Sequence, residues 1–190
     1  DLQDGRAVRL IQGDFAASTT FNDDPVAQAL SFAEQGAVAL HVVDLDGAEQ
    51  GIPVHAPMVA EIASRFRGDV QLGGGLRTRA AIETALATGV RRLVLGTVAL
   101  EDPELLEWAV ARLEDKLAVA VDARDGKVAT HGWTQISDRD ATDVAAELVG
   151  TGVRRLIYTD IGRDGMLAGP NLKALKRVAE AAPPLRIIAS

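Results

Sequence analysis

The composition of this 190-residue chain, with 47% hydrophobic residues, is typical of one globular domain with a sizeable core. A formal net charge of −7, with no basic cluster longer than two arginines, argues against nucleic acid as the main partner. There is no cysteine, which excludes disulfides and thiolate chemistry, and no apolar run approaches the roughly 20 residues that span a membrane. We therefore expect a cytoplasmic domain that binds neither nucleic acid nor membrane.

The first half of the sequence alternates between predicted strands and helices. Residues 5–13 are typical of a short hairpin, and the small polar residues from 14 to 22 predict a mobile loop. Asp24 as N-cap and Pro25 in the first turn begin a helix. Further helices are predicted over 57–66 and 78–88, and short apolar runs predict strands over 39–43, 70–72 and 92–95.

The second half continues this alternation. A helix begins at Asp102 and Pro103, and residues 117–121 form the continuous apolar run of a fully buried strand. Later helices are predicted over 140–149 and 172–181, and later strands over 156–158 and 185–188. Apolar strands separated by helices predict a parallel sheet covered by helices, either a doubly wound open sheet or a (β/α)8 barrel.

A motif at the start of the chain recurs in its middle and decides between these two architectures. Residues 1–6 and 122–127 both read Asp-x-x-Asp-Gly followed by a basic residue, and residues 24–44 are echoed by residues 140–160. Such a long repeat is typical of a duplicated half-domain rather than of a solenoid. Because two halves of four strand–helix units make eight strands, the repeat favours the (β/α)8 barrel.

The repeat also indicates how much of a barrel the chain holds. The counterpart of the QLGGGLR stretch at 71–77 would fall where the chain ends, and no buried strand precedes Asp1 as one precedes Asp122. We therefore expect the whole chain to be a single barrel domain cut at both ends, lacking most of the first strand and everything after the seventh. The two half-barrels are expected at about 1–115 and 116–190.

Two aspartates of the duplicated motif are candidates for catalysis. Asp1 and Asp122 end strands one and five, which lie opposite each other in an eight-stranded barrel. Two carboxylates across the mouth can divide the roles of acid and base if their surroundings separate their pKa values. A single aspartate after a strand is commonly a loop or cap residue, but a pair in the same duplicated motif favours catalysis.

Glycines after two neighbouring strands predict a phosphate site. Residues 73–75 are three glycines between a strand and a helix, and Gly96 and Thr97 follow the next strand. Bare backbone N–H groups at such places bind phosphate, although a tight turn explains the same glycines equally well. By the repeat, a second phosphate would bind on the opposite side, which implies a long substrate with a phosphate at each end.

One aromatic side chain and the histidines complete the candidates. Trp133 could stack on a planar substrate ring, and packing in the core is an equally good explanation. His41, His55 and His131 have no spacing typical of metal ligands, so no metal site is expected.

Seven stretches of the sequence together resemble the phosphoribosylformimino-aminoimidazole carboxamide ribotide isomerase family of histidine biosynthesis. They read DLQDGRAVRLIQGDF, HVVDLDGA, QLGGGLR, GTVALEDPELL, VDARDGKVATHGW, YTDIGRDGMLAGPNL and IIAS, and the similarity runs over essentially the whole chain. The resemblance implies a twofold-repeated (β/α)8 barrel that converts an aldose to a ketose by an Amadori rearrangement, on a bisphosphate substrate, without cofactor or metal. We expect a monomer.

The resemblance also implies roles for single residues. Asp1 matches the general base that removes the proton from C2 of the opened ribose, and Asp122 matches the general acid that protonates the ring oxygen. Residues matched to substrate contacts are Arg9, Trp133, Thr159 and Asp164, and those matched to a phosphate site are Gly74, Gly75, Gly96 and Thr97. Met166 departs from the family, which usually has Thr after RDG.

Three alternatives remain open. The chain also resembles the cyclase subunit of imidazole glycerol phosphate synthase, a family with the same fold and paired aspartates. Arg9 and the HVVDLDGA and HGW stretches favour the isomerase. A bifunctional isomerase that also acts on phosphoribosyl anthranilate tends to have Arg where this chain has His131. A non-catalytic half-barrel that serves as a binding module would not need an aspartate in both halves.

Overall fold

The computed structural model describes residues 1–11, 13–164, 166 and 169–190. The chain forms two compact units, one of residues 1–10 and 17–95 and the other of residues 11–16 and 96–190. Strands and helices alternate in both units, as the sequence predicts. Across the described ranges, no helix is both long enough and apolar enough to cross a membrane.

Among the described residues up to 95, the structure has six strands and four helices. In order they are β1 (Leu2–Gln3), β2 (Arg6–Ile11), β3 (Asp14–Asn22), α1 (Pro25–Glu34), β4 (Ala39–Val43), α2 (Leu45–Gln50), α3 (Ala56–Arg65), β5 (Asp69–Gly73), α4 (Arg79–Ala87) and β6 (Arg92–Leu95). Strands β4, β5 and β6 are parallel neighbours. The Asp24 carboxylate accepts the N–H of Ala27 at the start of α1, which confirms the predicted N-cap.

The described part of residues 96–190 has five strands, four α-helices and a 3-10 turn at Glu114–Lys116. In order they are α5 (Val98–Glu101), α6 (Pro103–Leu113), β7 (Leu117–Arg124), β8 (Lys127–Thr130), β9 (Gln135–Asp140), α7 (Ala141–Gly150), β10 (Arg155–Asp160), α8 (Leu172–Ala181) and β11 (Arg186–Ala189). Strand β10 lies between β7 and β11 and is parallel to both. Strand β7 is the apolar run predicted from the sequence, and it lies in the core of its unit because most of its side chains are buried.

The duplicated motif folds into the same hairpin turn in each unit. Asp4 and Gly5 have φ angles of 50° and 74°, and Asp125 and Gly126 have φ angles of 53° and 84°. Two successive positive φ angles define a type I′ turn, for which Asp-Gly is a favoured sequence because its twist matches that of the flanking strands. The motif therefore encodes the turns of the antiparallel pairs β1–β2 and β7–β8.

One sequence expectation about secondary structure is wrong. Residues 14–22, expected as a mobile loop, form strand β3, next to β2 in a three-stranded sheet. Gly13, with a φ of 72°, allows the tight turn between these strands, and the two threonines and two phenylalanines of the segment have high β propensity. The short elements α2, α5, β8 and β9 were not predicted, because they are brief or largely polar.

Candidate active site

The predicted acid Asp122 and the predicted substrate contact Thr159 are neighbours on parallel strands. They are partners in the register of β7 and β10, so their side chains leave the same face of this sheet. Thr159 is buried, and its hydroxyl donates a hydrogen bond to the Asp122 carboxylate. Trp133 donates from Nε1 to Asp122 Oδ2 over 2.8 Å. The structure thus brings three predicted site residues into direct contact.

The surroundings of Asp122 favour the protonated form of its carboxyl more than water does. Burial raises the pKa of its carboxyl, and the hydrogen bonds from Trp133 and Thr159 to the charged form offset only part of this rise. The negative charge of Asp164 raises the pKa of Asp122 further. A carboxylic acid with a raised pKa is the group that general acid catalysis requires near neutral pH.

The turn that carries Trp133 has an unusual backbone. His131, Gly132 and Trp133 have φ angles of 55°, 63° and 69°, which residues other than glycine rarely adopt. The His131 N–H donates to the Thr97 hydroxyl over 3.0 Å, and the His131 carbonyl accepts from the Thr134 hydroxyl over 2.8 Å. Strained conformations of this kind persist where surrounding contacts over-determine them, and they cluster at functional sites.

Gly13 supports the indole from one side. A side chain at this position would overlap the six-membered ring of Trp133, so the glycine leaves the space that the ring occupies. The Trp133 ring therefore packs on backbone at residue 13 while its N–H binds Asp122. Gly13 was not singled out in the sequence, where its only signal is its place between two extended segments.

The loop after β10 contains the last predicted substrate contact of this unit. The Asp160 carbonyl accepts the N–H groups of Arg163 and Asp164 over 2.9 Å and 3.1 Å. Met166, where the family usually has Thr, is 51% exposed. Of the quoted stretch YTDIGRDGMLAGPNL, the residues Gly165, Leu167 and Ala168 lie outside the described residues.

The predicted base lies in the other unit. The Asp1 carbonyl accepts the N–H of Val8 over 2.9 Å, and Leu2 forms a parallel bridge with Asp44 beyond the end of β4. Asp1 therefore leads into the β1–β2 hairpin beside the carboxyl end of a parallel strand. Arg9, a predicted substrate contact, lies on β2 of this hairpin.

The predicted phosphate residues Gly74 and Gly75 form a tight turn after β5. Their φ angles are 99° and 72°. Side chains there would overlap the carbonyl oxygens of Asp44 and Ile52, so glycine is needed for the close approach of two loops. At Gly96, by contrast, a side chain would meet no heavy atom of the described residues within 4 Å, and at Thr97 the hydroxyl binds a backbone N–H. Phosphate binding at these four positions stays a prediction.

A hydrogen-bonded group after β4 was not predicted. Asp44, which is 1% exposed, accepts the N–H groups of Gly47 and His55 over 2.8 Å and 2.9 Å. Asp46 Oδ2 accepts the N–H of Asp4 over 2.8 Å and lies 2.5 Å from His55 Nε2. Among the described residues, Asp44, Asp46 and His55 have ligand atoms within 4.8 Å of one another, but their oxygens already serve protein donors. The Asp-x-Asp pattern after a strand was its signal in the sequence.

Comparison with known proteins identifies the relatives of this chain. The family described as "Histidine biosynthesis protein" matches residues 1–190. A protein of Roseiflexus castenholzii is 53% identical over 174 residues, which is 92% of this chain and 73% of the relative. Proteins of Roseiflexus sp. RS-1 and Acetivibrio thermocellus are 49% and 46% identical over 190 residues, which is 100% of this chain and 80% of each relative.

These three relatives have the same name. Each is called 1-(5-phosphoribosyl)-5-((5-phosphoribosylamino)methylideneamino)imidazole-4-carboxamide isomerase. Together with the alternation of parallel strands and helices, the family match confirms the predicted (β/α)8-barrel fold class. The match over all 190 residues also confirms the resemblance read from the seven sequence stretches. The chain belongs to the histidine biosynthesis protein family.

Proposed function

We propose that this chain catalyses the isomerisation of the formimino ribotide in histidine biosynthesis, with Asp122 as the general acid and Asp1 as the general base. The predictions of an isomerase and of its place in histidine biosynthesis are confirmed by the family match and by the names of the relatives. The cyclase alternative is not favoured by these names. The roles of single residues are our inference.

The observation that carries the proposal is the state of the Asp122 carboxyl. Its pKa is raised by burial, and its position is held by the Trp133 indole N–H and the Thr159 hydroxyl. Held in this way, a protonated carboxyl can deliver its proton to the ring oxygen of the substrate ribose. The bond between C1 and the ring oxygen then breaks, and the electron pair on the attached nitrogen forms the C=N bond of a Schiff base.

The second step needs a base, and Asp1 is our candidate. Removal of the proton from C2 of the opened ribose moves electrons through C1 onto the nitrogen, which gives an enolamine. Return of a proton to C1 and loss of the hydroxyl proton at C2 leave the ketose. The two steps need opposite protonation states in their two carboxyl groups, which a difference in surroundings can supply.

Substrate binding is assigned to the residues that match the family's substrate contacts. We propose that Arg9, Trp133, Thr159 and Asp164 contact the substrate and that the phosphate is bound at Gly74, Gly75, Gly96 and Thr97. The open space beside Gly96 and the left-handed turn at Gly74 and Gly75 are compatible with N–H groups that face a phosphate. No cofactor or metal takes part in this scheme. A bisphosphate substrate, a monomeric state and a cytoplasmic location stay predictions.

The test is an isomerase assay on the protein and on the variants Asp1→Asn and Asp122→Asn. We expect activity in the parent protein and a loss of about 10²- to 10⁴-fold in each variant, the range that general acid–base catalysis contributes. Ammonia-dependent cyclisation of the ketose, without isomerisation, would instead identify the cyclase. Turnover of phosphoribosyl anthranilate beside the ribotide would identify the bifunctional form.

A further inference from the structure

Asp44 and Asp160 occupy matching positions in the sequence repeat, each at the end of a parallel strand. In both units this aspartate binds the N-cap residue of a helix later in the chain, which is α3 for Asp44 and α8 for Asp160. Asp44 Oδ2 accepts the backbone N–H of His55, the N-cap of α3, over 2.9 Å. Asp160 Oδ2 accepts from Nδ2 of Asn171, the N-cap of α8, over 2.6 Å. The duplication has therefore placed one strand-to-helix clamp in each half.

The clamp of the second half surrounds a predicted substrate contact. Asp160 Oδ1 accepts the N–H of Gly162 over 3.1 Å, while its carbonyl accepts the N–H groups of Arg163 and Asp164. The backbone from Asp160 to Asp164 is thus folded around Asp160. Because Asp160 is also bonded to Asn171, the turn is tied to the start of α8.

We propose that Asp160 is a positioning residue for the isomerisation: it holds the turn 160–164 against the N-cap of α8 and thereby sets the place of Asp164 at the substrate. This rests on the proposed function, in which Asp164 contacts the substrate. Asp164 lies close enough to Asp122 for its charge to act on that carboxyl. A displacement of the turn would therefore alter both the substrate contact and the surroundings of the acid.

The hydrogen-bond directions explain why an aspartate is needed at this position. Asn171 Oδ1 already accepts the N–H of Ala174 as the cap of α8, over 3.1 Å, so its amide Nδ2 must face Asp160. The partner must then be an acceptor, and its second oxygen must accept from Gly162. Only a carboxylate offers both oxygens as acceptors, since an amide replaces one of them with a donor.

These hydrogen-bond directions predict that exchanging the residues at 160 and 171 restores the bond between them. Asp160→Asn keeps the acceptor for Gly162 but sets its amide N–H₂ against that of Asn171. Adding Asn171→Asp reverses the bond, because the introduced carboxylate accepts from the amide at 160 and still caps the N–H of Ala174. Asn171→Asp alone sets two carboxylates against each other. Each single variant should therefore have a lower kcat/KM than the parent, and the double variant should recover the parental kcat/KM.

The experiment measures kcat and KM of the ribotide isomerisation for the protein, both single variants and the double variant. For Asp160→Asn we expect kcat/KM to fall by about 10- to 100-fold, the effect of misplacing a contact group by about 1 Å. The double variant should return to within about threefold of the parent, because it restores the bond between residues 160 and 171. Thermal unfolding of all four proteins shows that each is folded at the assay temperature.

A second set places Asp160→Asn in an Asp164→Ala background. If Asp160 acts through Asp164, the further loss there should be no more than about twofold, whereas independent effects would add. Three results would overturn the proposal. The first is a full additive loss of kcat/KM in the Asp164→Ala background, and the second is an Asp160→Asn protein with parental kcat/KM. The third is a double variant whose kcat/KM is no higher than that of Asp160→Asn. A parent protein with no isomerase activity would overturn the proposed function itself, so the two failures are distinguishable.

Discussion

The substitution Asp122→Asn should abolish turnover and make the protein more stable in neutral and alkaline solution. An amide at this position can keep both hydrogen bonds, since its oxygen can accept from the Trp133 N–H and its N–H₂ can donate to the Thr159 hydroxyl, which also accepts. The fold is therefore retained. What is lost is the transferable proton, whose contribution to catalysis is about 10²- to 10⁴-fold.

The stability effect follows from the raised pKa of Asp122. Burial raises this pKa in the folded protein, so the carboxyl ionises more easily in the unfolded chain. Below about pH 4, the ordinary range of an aspartate, residue 122 is protonated in both the folded and the unfolded chain. The protonated carboxyl then makes its full contribution to the free energy of unfolding. As the pH rises through the folded pKa, this contribution is lost in the parent protein. The asparagine variant has no proton to lose, so its advantage should grow with pH and then level off.

The measurement is thermal unfolding of both proteins from pH 4 to pH 8, beside the isomerase assay. For a chain of this size, each kcal/mol of difference shifts the midpoint by about 2–4 °C. Asp125→Asn, an exposed change of the same chemistry in the adjacent turn, is the matched control and should show neither effect. Activity within about threefold of the parent, outside the range for general acids, would refute the role of Asp122. A stability advantage that shrinks with rising pH would refute the electrostatic reasoning.

Three further substitutions test a hydrogen bond to Asp122, the clamp at Asp44 and the glycine turn after β5. Trp133→Phe removes a donor to the Asp122 carboxylate and so raises the pKa of Asp122; the alkaline limb of kcat, measured against pH, should move to higher pH, and an unmoved limb would contradict this. Asp44→Ala leaves two backbone N–H groups without their acceptor and should lower the urea-unfolding free energy by about 2–4 kcal/mol; a loss below about 1 kcal/mol would argue against the clamp. Gly74→Ala should destabilise by at least about 1 kcal/mol, whereas Gly150→Ala, in a helix with open space around it, should be neutral or stabilising.

Local sequence patterns that have one physical meaning predicted the structure correctly. Asp24 followed by proline predicts a helix start, and its carboxylate does cap α1. The apolar run 117–121 predicts a buried strand, and β7 is one. A hairpin was predicted over residues 5–13, whereas the hairpin at the start of the chain has its turn at Asp4 and Gly5; its copy after Asp122 was missed, although both turns contain Asp-Gly. The short polar strands β8 and β9 have no apolar periodicity to reveal them.

In the candidate site, the identity of the residues could be predicted from the sequence but their contacts could not. Asp122, Trp133, Thr159 and Asp164 could be selected from motifs that resemble a family, because each stands after a strand or in a recognisable stretch. Their contacts could not be predicted from the chain. The bond from Trp133 to Asp122 depends on three successive left-handed residues, on Gly13 and on the Thr97 hydroxyl, which are far apart in the sequence.

The sequence by itself determined the order of the longer helices and of the buried parallel strands, the barrel class, the duplicated motif and the family, since periodicity, caps and Asp-Gly turns act over a few residues. Only the tertiary structure decided the protonation preference of Asp122 and the clamps at Asp44 and Asp160. A pKa depends on burial and on charges that folding brings together, and a clamp depends on which oxygen faces which N–H. Those quantities exist only once distant residues are packed against one another.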